Sequence, residues 1–159
     1  MYRTGIGFDV HPLAEDKLLI IGGVKIPHQK GLLGHSDADV LVHAVMDAVL
    51  GALALGDIGQ HFPDTDAEFK GANSLELLSH VNRLAEEKGF VCTNLDSIIM
   101  AEKPKMAPYL MKMRANLATA LKIKTEQVSI KATTTERLGL IGREEGIAAQ
   151  AIVLLNSIT

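Results

Sequence analysis

The chain has 159 residues, 47% of them apolar and 22% charged, with a formal net charge of -3. That length fits one domain of about 100–200 residues, large enough to fold around its own core without a disulfide, and the apolar content excludes a disordered chain. The acidic balance and 4% aromatic content supply neither a basic footprint nor a stacking platform, so no nucleic-acid partner is expected.

Residues 2–10 read as a strand, and 18–21 with 24–26 as a hairpin around Gly22-Gly23. Helical periodicity covers 38–53, with Ser36 or Asp37 as its cap, and then 74–88, with Asn73 or Ser74 as cap and Gly89 as stop. A strand over 90–100, a helix over 105–121 and strands over 128–134 and 147–155 complete the chain. No repeat or composition shift marks a boundary, so a single catalytic domain over 1–159 is expected. The order of elements predicts an α+β fold: a mixed β-sheet with helices on one face. The segment 147–155 is nearly all apolar, interrupted only by Gln150, and reads as a strand buried on both faces. Either helices cover its second face or another subunit does, and the second is favoured. The lone cysteine, Cys92, fits a reducing compartment. Asp9 and His11 fall where a signal peptide would be apolar, and His43 and Asp47 interrupt the apolar run 40–55. No membrane span and a cytoplasmic location follow as expectations.

Asp9 and His11 stand two apart in a strand pattern, so their side chains leave one face. A carboxylate and an imidazole suit Zn²⁺, although Asp-x-His alone is more often a solvated pair. His43 strengthens the case, on an otherwise apolar helix with Asp39 and Asp47 at i−4 and i+4. Either carboxylate could orient its second ring nitrogen. Three protein ligands leave one tetrahedral position open, the catalytic arrangement. The loop 31–39, with His35 and Ser36, enters that helix, whose first amides could bind phosphate; an ordinary cap is the commoner explanation. Asp57, Asp64 and Asp66 lie in turn-forming sequence and could serve a hard cation or polyol hydroxyls, solvated turn acids being the blander reading. Thr133, Thr134, Thr135 and Glu136 end a strand, where hydroxyls followed by a carboxylate suit a phosphate with Mg²⁺. The stretch 139–146, with Arg143, looks like an anion loop without the Lys-Ser/Thr of a Walker motif. No Gly-x-Ser-x-Gly occurs and Cys92 has no histidine beside it, so attack by water or by the substrate itself is favoured over a protein nucleophile.

Six blocks, GFDVHP (7–12), IGGVKIP (21–27), GLLGHSDADV (31–40), GALALGDIGQHFPDTD (51–66), PKM (104–106) and KATTTERLG (131–139), together resemble the 2-C-methyl-D-erythritol 2,4-cyclodiphosphate synthase family. The resemblance spans about residues 2–155 with compatible spacing. It implies a phosphorus–oxygen lyase of the non-mevalonate isoprenoid pathway, which cyclises 4-diphosphocytidyl-2-C-methyl-D-erythritol 2-phosphate and releases CMP. By the same resemblance Asp9, His11 and His43 hold Zn²⁺, and Glu136 holds Mg²⁺ or Mn²⁺. His35 and Thr134 match the positions that stabilise the transition state. The substrate's phosphates and polyol would meet Asp9, His11, His35, Ser36, Asp57, Gly59, Phe62, Asp64 and Asp66. Its cytidine diphosphate would meet Ala101, Lys105, Met106, Ala107 and Thr133 to Glu136. The resemblance further implies a homotrimer with active sites between subunits, and a central cavity, reached by Leu140 and Arg143, that can take an isoprenoid diphosphate. Gly34 and Ala38 exchange the family's usual Ala and Gly, and Arg137 replaces a common Lys. Leu140, Gln150 and Ile6 stand where many members carry Phe, Glu and His. Ile6 and Leu140 would make that cavity more apolar, and Gln150 removes an acid that could offset three arginines around one axis. The competing readings are a metal-dependent phosphohydrolase and a non-catalytic trimeric module that binds nucleotide or isoprenoid diphosphate.

Overall fold

The computed structural model describes residues 1–158, the side chain of residue 68 excepted. In chain order it contains β1 (Tyr2–Glu15), β2 (Leu19–Ile21), β3 (Val24–Ile26), β4 (Lys30–Leu32), α1 (Val40–Ala52), α2 (Ile58–His61) and α3 (Ser74–Glu87). Then follow β5 (Phe90–Met100), α4 (Leu110–Leu121), β6 (Val128–Thr133), α5 (Gly139–Gly142) and β7 (Gly146–Ser157). Among the described residues one sheet has the order β4-β1-β7-β5-β6, and β2 and β3 form a separate hairpin. Only β5 and β6 pair in parallel, and α4 supplies the crossover that a parallel pair needs. The mixed sheet and α+β class are those expected. The first strand runs on from residue 10 to Glu15, because Pro12 lies opposite Gly146 and Leu13 to Glu15 pair with β4.

Every residue of α1 except Asp47 and Gly51 is buried, as befits a helix that is apolar all round. It packs on β1 and β7 on one side and on α3 on the other. The approach to β1 is backbone to backbone. A Cβ on Gly5 would lie 1.9 Å from the Ala48 carbonyl oxygen, and one on Gly7 1.9 Å from that of Ala44. Gly5, Gly7, Asp9 and His11 alternate along one face of β1, so the row that admits the helix ends in the two candidate ligands.

The cap of α1 is Asp39, not Ser36 or Asp37. Its carboxylate accepts the amides of Val42 (3.1 Å), Gly22 (2.9 Å) and Gly23 (2.7 Å). Gly22 and Gly23 both have left-handed φ, 58° and 71°, the requirement of a tight hairpin turn that here turns two adjacent amides onto one carboxylate. Burial pushes the Asp39 carboxyl up, to about 6, against the three backbone bonds that pull it down. The Asp39 carboxylate thus takes up the Val42 amide, one of those at the helix start that the sequence offered to a phosphate.

Asn73 caps α3 by accepting the Leu75 amide, and the helix stops at Gly89 as expected. The last long helix begins at Leu110, not at 105. Pro108 has no amide to give the fourth residue of an earlier start, and Ala107–Tyr109 forms a 3-10 turn instead. β7 is the middle strand. Burial on both faces holds at 146–149 but fails at Ile152, which is 51% exposed. With its sheet neighbours Ile6 (60%) and Phe8 (56%), Ile152 forms an apolar outer face that no helix among the described residues covers.

Candidate metal centre and active site

Three elements carry the centre. β1 presents Asp9 and His11, α1 presents His43, and the loop before α1 presents His35 and Ser36. Asp9 Oδ2 lies 2.9 Å from His11 Nε2 and 3.0 Å from His43 Nδ1, and those two nitrogens are 3.1 Å apart. This near-equilateral triangle matches a tetrahedral cation: bonds of about 2.0–2.1 Å place ligand atoms roughly 3.3 Å apart. The proton positions agree. His11 Nδ1 donates to the Leu33 carbonyl at 3.0 Å, which leaves Nε2 with its lone pair toward the triangle. His43 Nε2 points to the hydroxyls of Ser36 and Ser74, each at 3.0 Å, and Nδ1 faces Asp9. A carboxylate oxygen and two ring nitrogens directed at one another require a cation between them, whether a proton or a metal.

Burial raises the Asp9 carboxyl, but hydrogen bonds from His11 and His43 outweigh it and hold the group well below the carboxylate range. Burial lowers His11, and the bond to Asp9 more than reverses this, so His11 is raised. Among the described residues this triad is the cluster of metal-binding side chains whose ligand atoms converge. Neither carboxylate flanking His43 orients it. Asp39 is spent on the cap, and Asp47 accepts the Ile58 amide at 2.8 Å, holding α2 against α1. The second ring nitrogen is held by serines.

The triad opens into a cavity of about 360 Å³, lined also by His35, Ser36, Gly59, Phe62 and Asp64 and by an apolar wall that includes Met46, Ile58 and Leu77. Phe62 stands edge-on to Phe69 with ring centres 5.3 Å apart. His35 donates from Nε2 to the Asp66 carbonyl at 3.4 Å. Asp57 caps α2 through the Gln60 amide and sits beside the cavity without lining it.

The comparison with known families decides the assignment: the model of the YgbB family matches residues 2–156. The chain belongs to the YgbB family. A member from Alkaliphilus metalliredigens, named 2-C-methyl-D-erythritol 2,4-cyclodiphosphate synthase, is 65% identical over 151 residues, covering 95% of each chain. The bifunctional IspDF from Campylobacter jejuni superposes with a TM-score of 0.95 at 46% identity; it covers 99% of this chain, which spans 42% of that longer one. IspF of Plasmodium falciparum, solved as a CDP complex, gives a TM-score of 0.87 at 35% identity, with 99% and 97% coverage. The family read from the six sequence blocks is the one these matches show.

The remaining expected site residues of this YgbB member do not reach the cavity. Ala101 and Met106 are buried, while Lys105, Ala107, Thr133, Thr134, Glu136 and Leu140 are exposed. Thr133 pairs with Met100, Met100 with Ala148 and Ala148 with Val10, so Thr133 shares a cross-sheet row with the strand segment carrying Asp9 and His11. Three inter-strand steps of about 4.8 Å put it roughly 14 Å away. Glu102, at the head of the turn before the 3-10 segment, shapes this second group. Glu102 Oε1 accepts the amides of Thr135 (3.0 Å) and Arg137 (3.1 Å), bending the turn in which Glu136 and Arg137 take φ of 53° and 62°. Arg143 is not without an acid: it makes a two-point ion pair with Glu145 at 3.0 and 3.1 Å. Gly34 and Ala38 also prove coupled, since a Cβ on Gly34 would lie 2.9 Å from that of Ala38. Among the described residues no helix is long and apolar enough to cross a membrane.

Proposed function

We propose that this chain cyclises 4-diphosphocytidyl-2-C-methyl-D-erythritol 2-phosphate to 2-C-methyl-D-erythritol 2,4-cyclodiphosphate with release of CMP, as a phosphorus–oxygen lyase of isoprenoid synthesis. The observation that carries the proposal is the Asp9–His11–His43 triangle at the wall of a cavity that no cysteine lines. Burial pushes the Cys92 thiol up to about 11, which leaves it inert. Asp9, His11 and His43 would hold Zn²⁺, and Glu136 would hold Mg²⁺ or Mn²⁺. When bound, the cations neutralise diphosphate charge that would repel an attacking phosphate.

The protein's own part is positioning and exclusion of water. Asp64, Gly59 and the neighbouring Asp57 and Asp66 would take polyol hydroxyls, and Ile58, Phe62 and Leu77 keep the wall apolar. A substrate folded against that wall attacks its own β-phosphorus with its 2-phosphate oxygen, and CMP leaves as the bond to the α-phosphate oxygen breaks. Alignment of this kind can be worth effective molarities of ~10⁵–10⁸ M. His35 and Thr134 are assigned to the transition-state oxygens.

The cytidine-side residues, Ala101, Lys105, Met106, Ala107 and Thr133 to Glu136, belong on this reading to the neighbouring subunit. The 14 Å separation within one chain supports this, and so does the uncovered apolar face of Ile6, Phe8 and Ile152. A homotrimer sealed along that face gives three sites, each with one half from either chain. Arg143 and Leu140 on its axis would take an isoprenoid diphosphate, the arginine leaving Glu145 to do so. The single catalytic domain and a cytoplasmic setting complete the reading, the latter supported by the lone buried thiol. The test is purified protein with the cytidine substrate and Mg²⁺, followed by mass spectrometry. CMP and the cyclic diphosphate are expected, and an uncyclised product with water incorporated would mean a phosphohydrolase instead.

A further inference from the structure

His43 is fixed from behind by a pair that plays no part in the reaction described above. Ser74, the first residue of α3, is fully buried. Its hydroxyl lies 2.5 Å from Asp37 Oδ1 and 3.0 Å from His43 Nε2. A hydroxyl has one proton, and a carboxylate at neutral pH only accepts. The proton of Ser74 is therefore committed to Asp37, and toward His43 Ser74 can only accept. That places the hydrogen of His43 on Nε2 and the lone pair on Nδ1, the atom 3.0 Å from Asp9 and 3.1 Å from His11. Ser36 also stands 3.0 Å from Nε2, but its own proton has no such commitment and can turn either way. Asp37 is itself held, accepting the amides of Ser74 at 3.0 Å and Asp39 at 3.2 Å.

We propose that Asp37 and Ser74 form a positioning pair that dictates which nitrogen of His43 is offered to the metal. The proposal rests on the metal reading above and adds a carboxylate–hydroxyl relay running from Asp37 in the loop before α1, through Ser74 in the first turn of α3, to a ligand on α1. The carboxylate that orients the histidine is thus six residues before it and reaches it through a serine, while the two acids at i−4 and i+4 serve other ends.

The test is zinc affinity, measured by competition with a chromophoric chelator on metal-stripped protein. Ser74→Ala should weaken binding by about 10–100-fold, the usual effect of removing a partner behind a ligand. Asp37→Asn should weaken it in the same direction, because an amide can donate to Ser74 and let its proton turn toward Nε2. Asn73→Ala is the control for mere structure: it removes the α3 cap, so it should lower the melting temperature and leave zinc affinity unchanged. In zinc-loaded, ¹⁵N-histidine-labelled protein the Nε2–H of His43 should be a protected resonance that exchanges rapidly in Ser74→Ala. Wild-type zinc affinity in Ser74→Ala, or an equal loss in Asn73→Ala, would overturn the pair. His43→Ala separates the two readings. Zinc retained by that variant refutes the metal site itself, whereas zinc lost there but kept by Ser74→Ala refutes only the positioning pair.

Discussion

Gly7→Ala tests how closely the metal site depends on backbone contact between β1 and α1. The new Cβ would sit 1.9 Å from the Ala44 carbonyl oxygen and 2.7 Å from the Ala48 amide nitrogen. Ordinary contact begins at 3.4 Å, so helix and strand must part by 3.4 minus 1.9, or 1.5 Å. Neither atom can swing away, since both belong to a buried helix backbone. Overpacking costs about 1–3 kcal/mol and occasionally more, and this case belongs at the upper end. For a chain of this length each kcal/mol moves the melting temperature by about 2–4 °C, which gives a fall of roughly 6–12 °C. His43 is the neighbour of Ala44 and travels with it, while a metal site tolerates ligand displacements of only about 0.2 Å. Zinc affinity should therefore fall together with stability. Gly5→Ala meets Ala48 at the same 1.9 Å but lies one helical turn farther from His43, so α1 can pivot; its stability loss should be similar and its zinc loss smaller. The assays are thermal melting of metal-free protein at fixed concentration and chelator competition for zinc. A Gly7→Ala protein with unchanged melting and zinc affinity would refute the reasoning, as would a Gly5→Ala protein that loses more zinc than Gly7→Ala.

Glu136→Gln should keep zinc content while moving the Mg²⁺ requirement to much higher concentration, and an unaltered Mg²⁺ titration of activity would remove Glu136 from the site. Asp39 has its carboxyl raised from 3.8 to about 6, so its contribution to stability is full below pH 3.8 and is lost as pH rises through about 6. In metal-free urea titrations the stability of wild type relative to Asp39→Asn should accordingly decline from pH 4 to 6 and then level off; a relative gain over that interval contradicts the assignment. Gly34→Ala alone should destabilise, because its methyl would meet those of Ala38 and the His11 ring at 2.9 Å. Adding Ala38→Gly, which also frees a residue at φ 56°, should recover part of the loss, and strictly additive effects in the double-mutant cycle would disprove the coupling.

What the sequence disclosed about the fold tracks how local each element's signal is, and even the three-residue β2 and β3 are given away by the Gly22-Gly23 turn between them. The strand over 90–100 and the helix starting at 74 agree with the structure at their limits, because apolar alternation and an Asn cap are local signals. β4 and α2 have three and four residues, too few for any period to declare itself. The extension of β1 to Glu15 depends on pairing with β4, which no local pattern encodes. Asp39 hid in plain view as a cap. It was read as a partner for His43 because it stands at i−4, yet a buried carboxylate goes to the nearest unpaired donors, here the two amides of the Gly22-Gly23 turn and that of Val42.

The site divides in the same way. Asp9 and His11 are legible together because a strand puts alternate residues on one face, and His43 because a polar ring on an apolar helix needs a reason. That the helix lies on this strand is also written, in Gly5 and Gly7 against Ala44 and Ala48, but as missing side chains, which carry no chemical label. The orienting Ser74 is 31 residues from His43 and 37 from Asp37, and only the packing of α3 on α1 brings the three together. The widest gap concerns the Thr133–Glu136 group. Its threonines also read as plain strand formers, and the cross-sheet row through Ala148 and Met100 sets this group and the metal triad at the same end of the sheet. Strand order, however, inserts β7 and β5 between them and sets them roughly 14 Å apart. On the proposed homotrimer reading, the complete site would form where the β6 side of one copy meets the β1 side of the next.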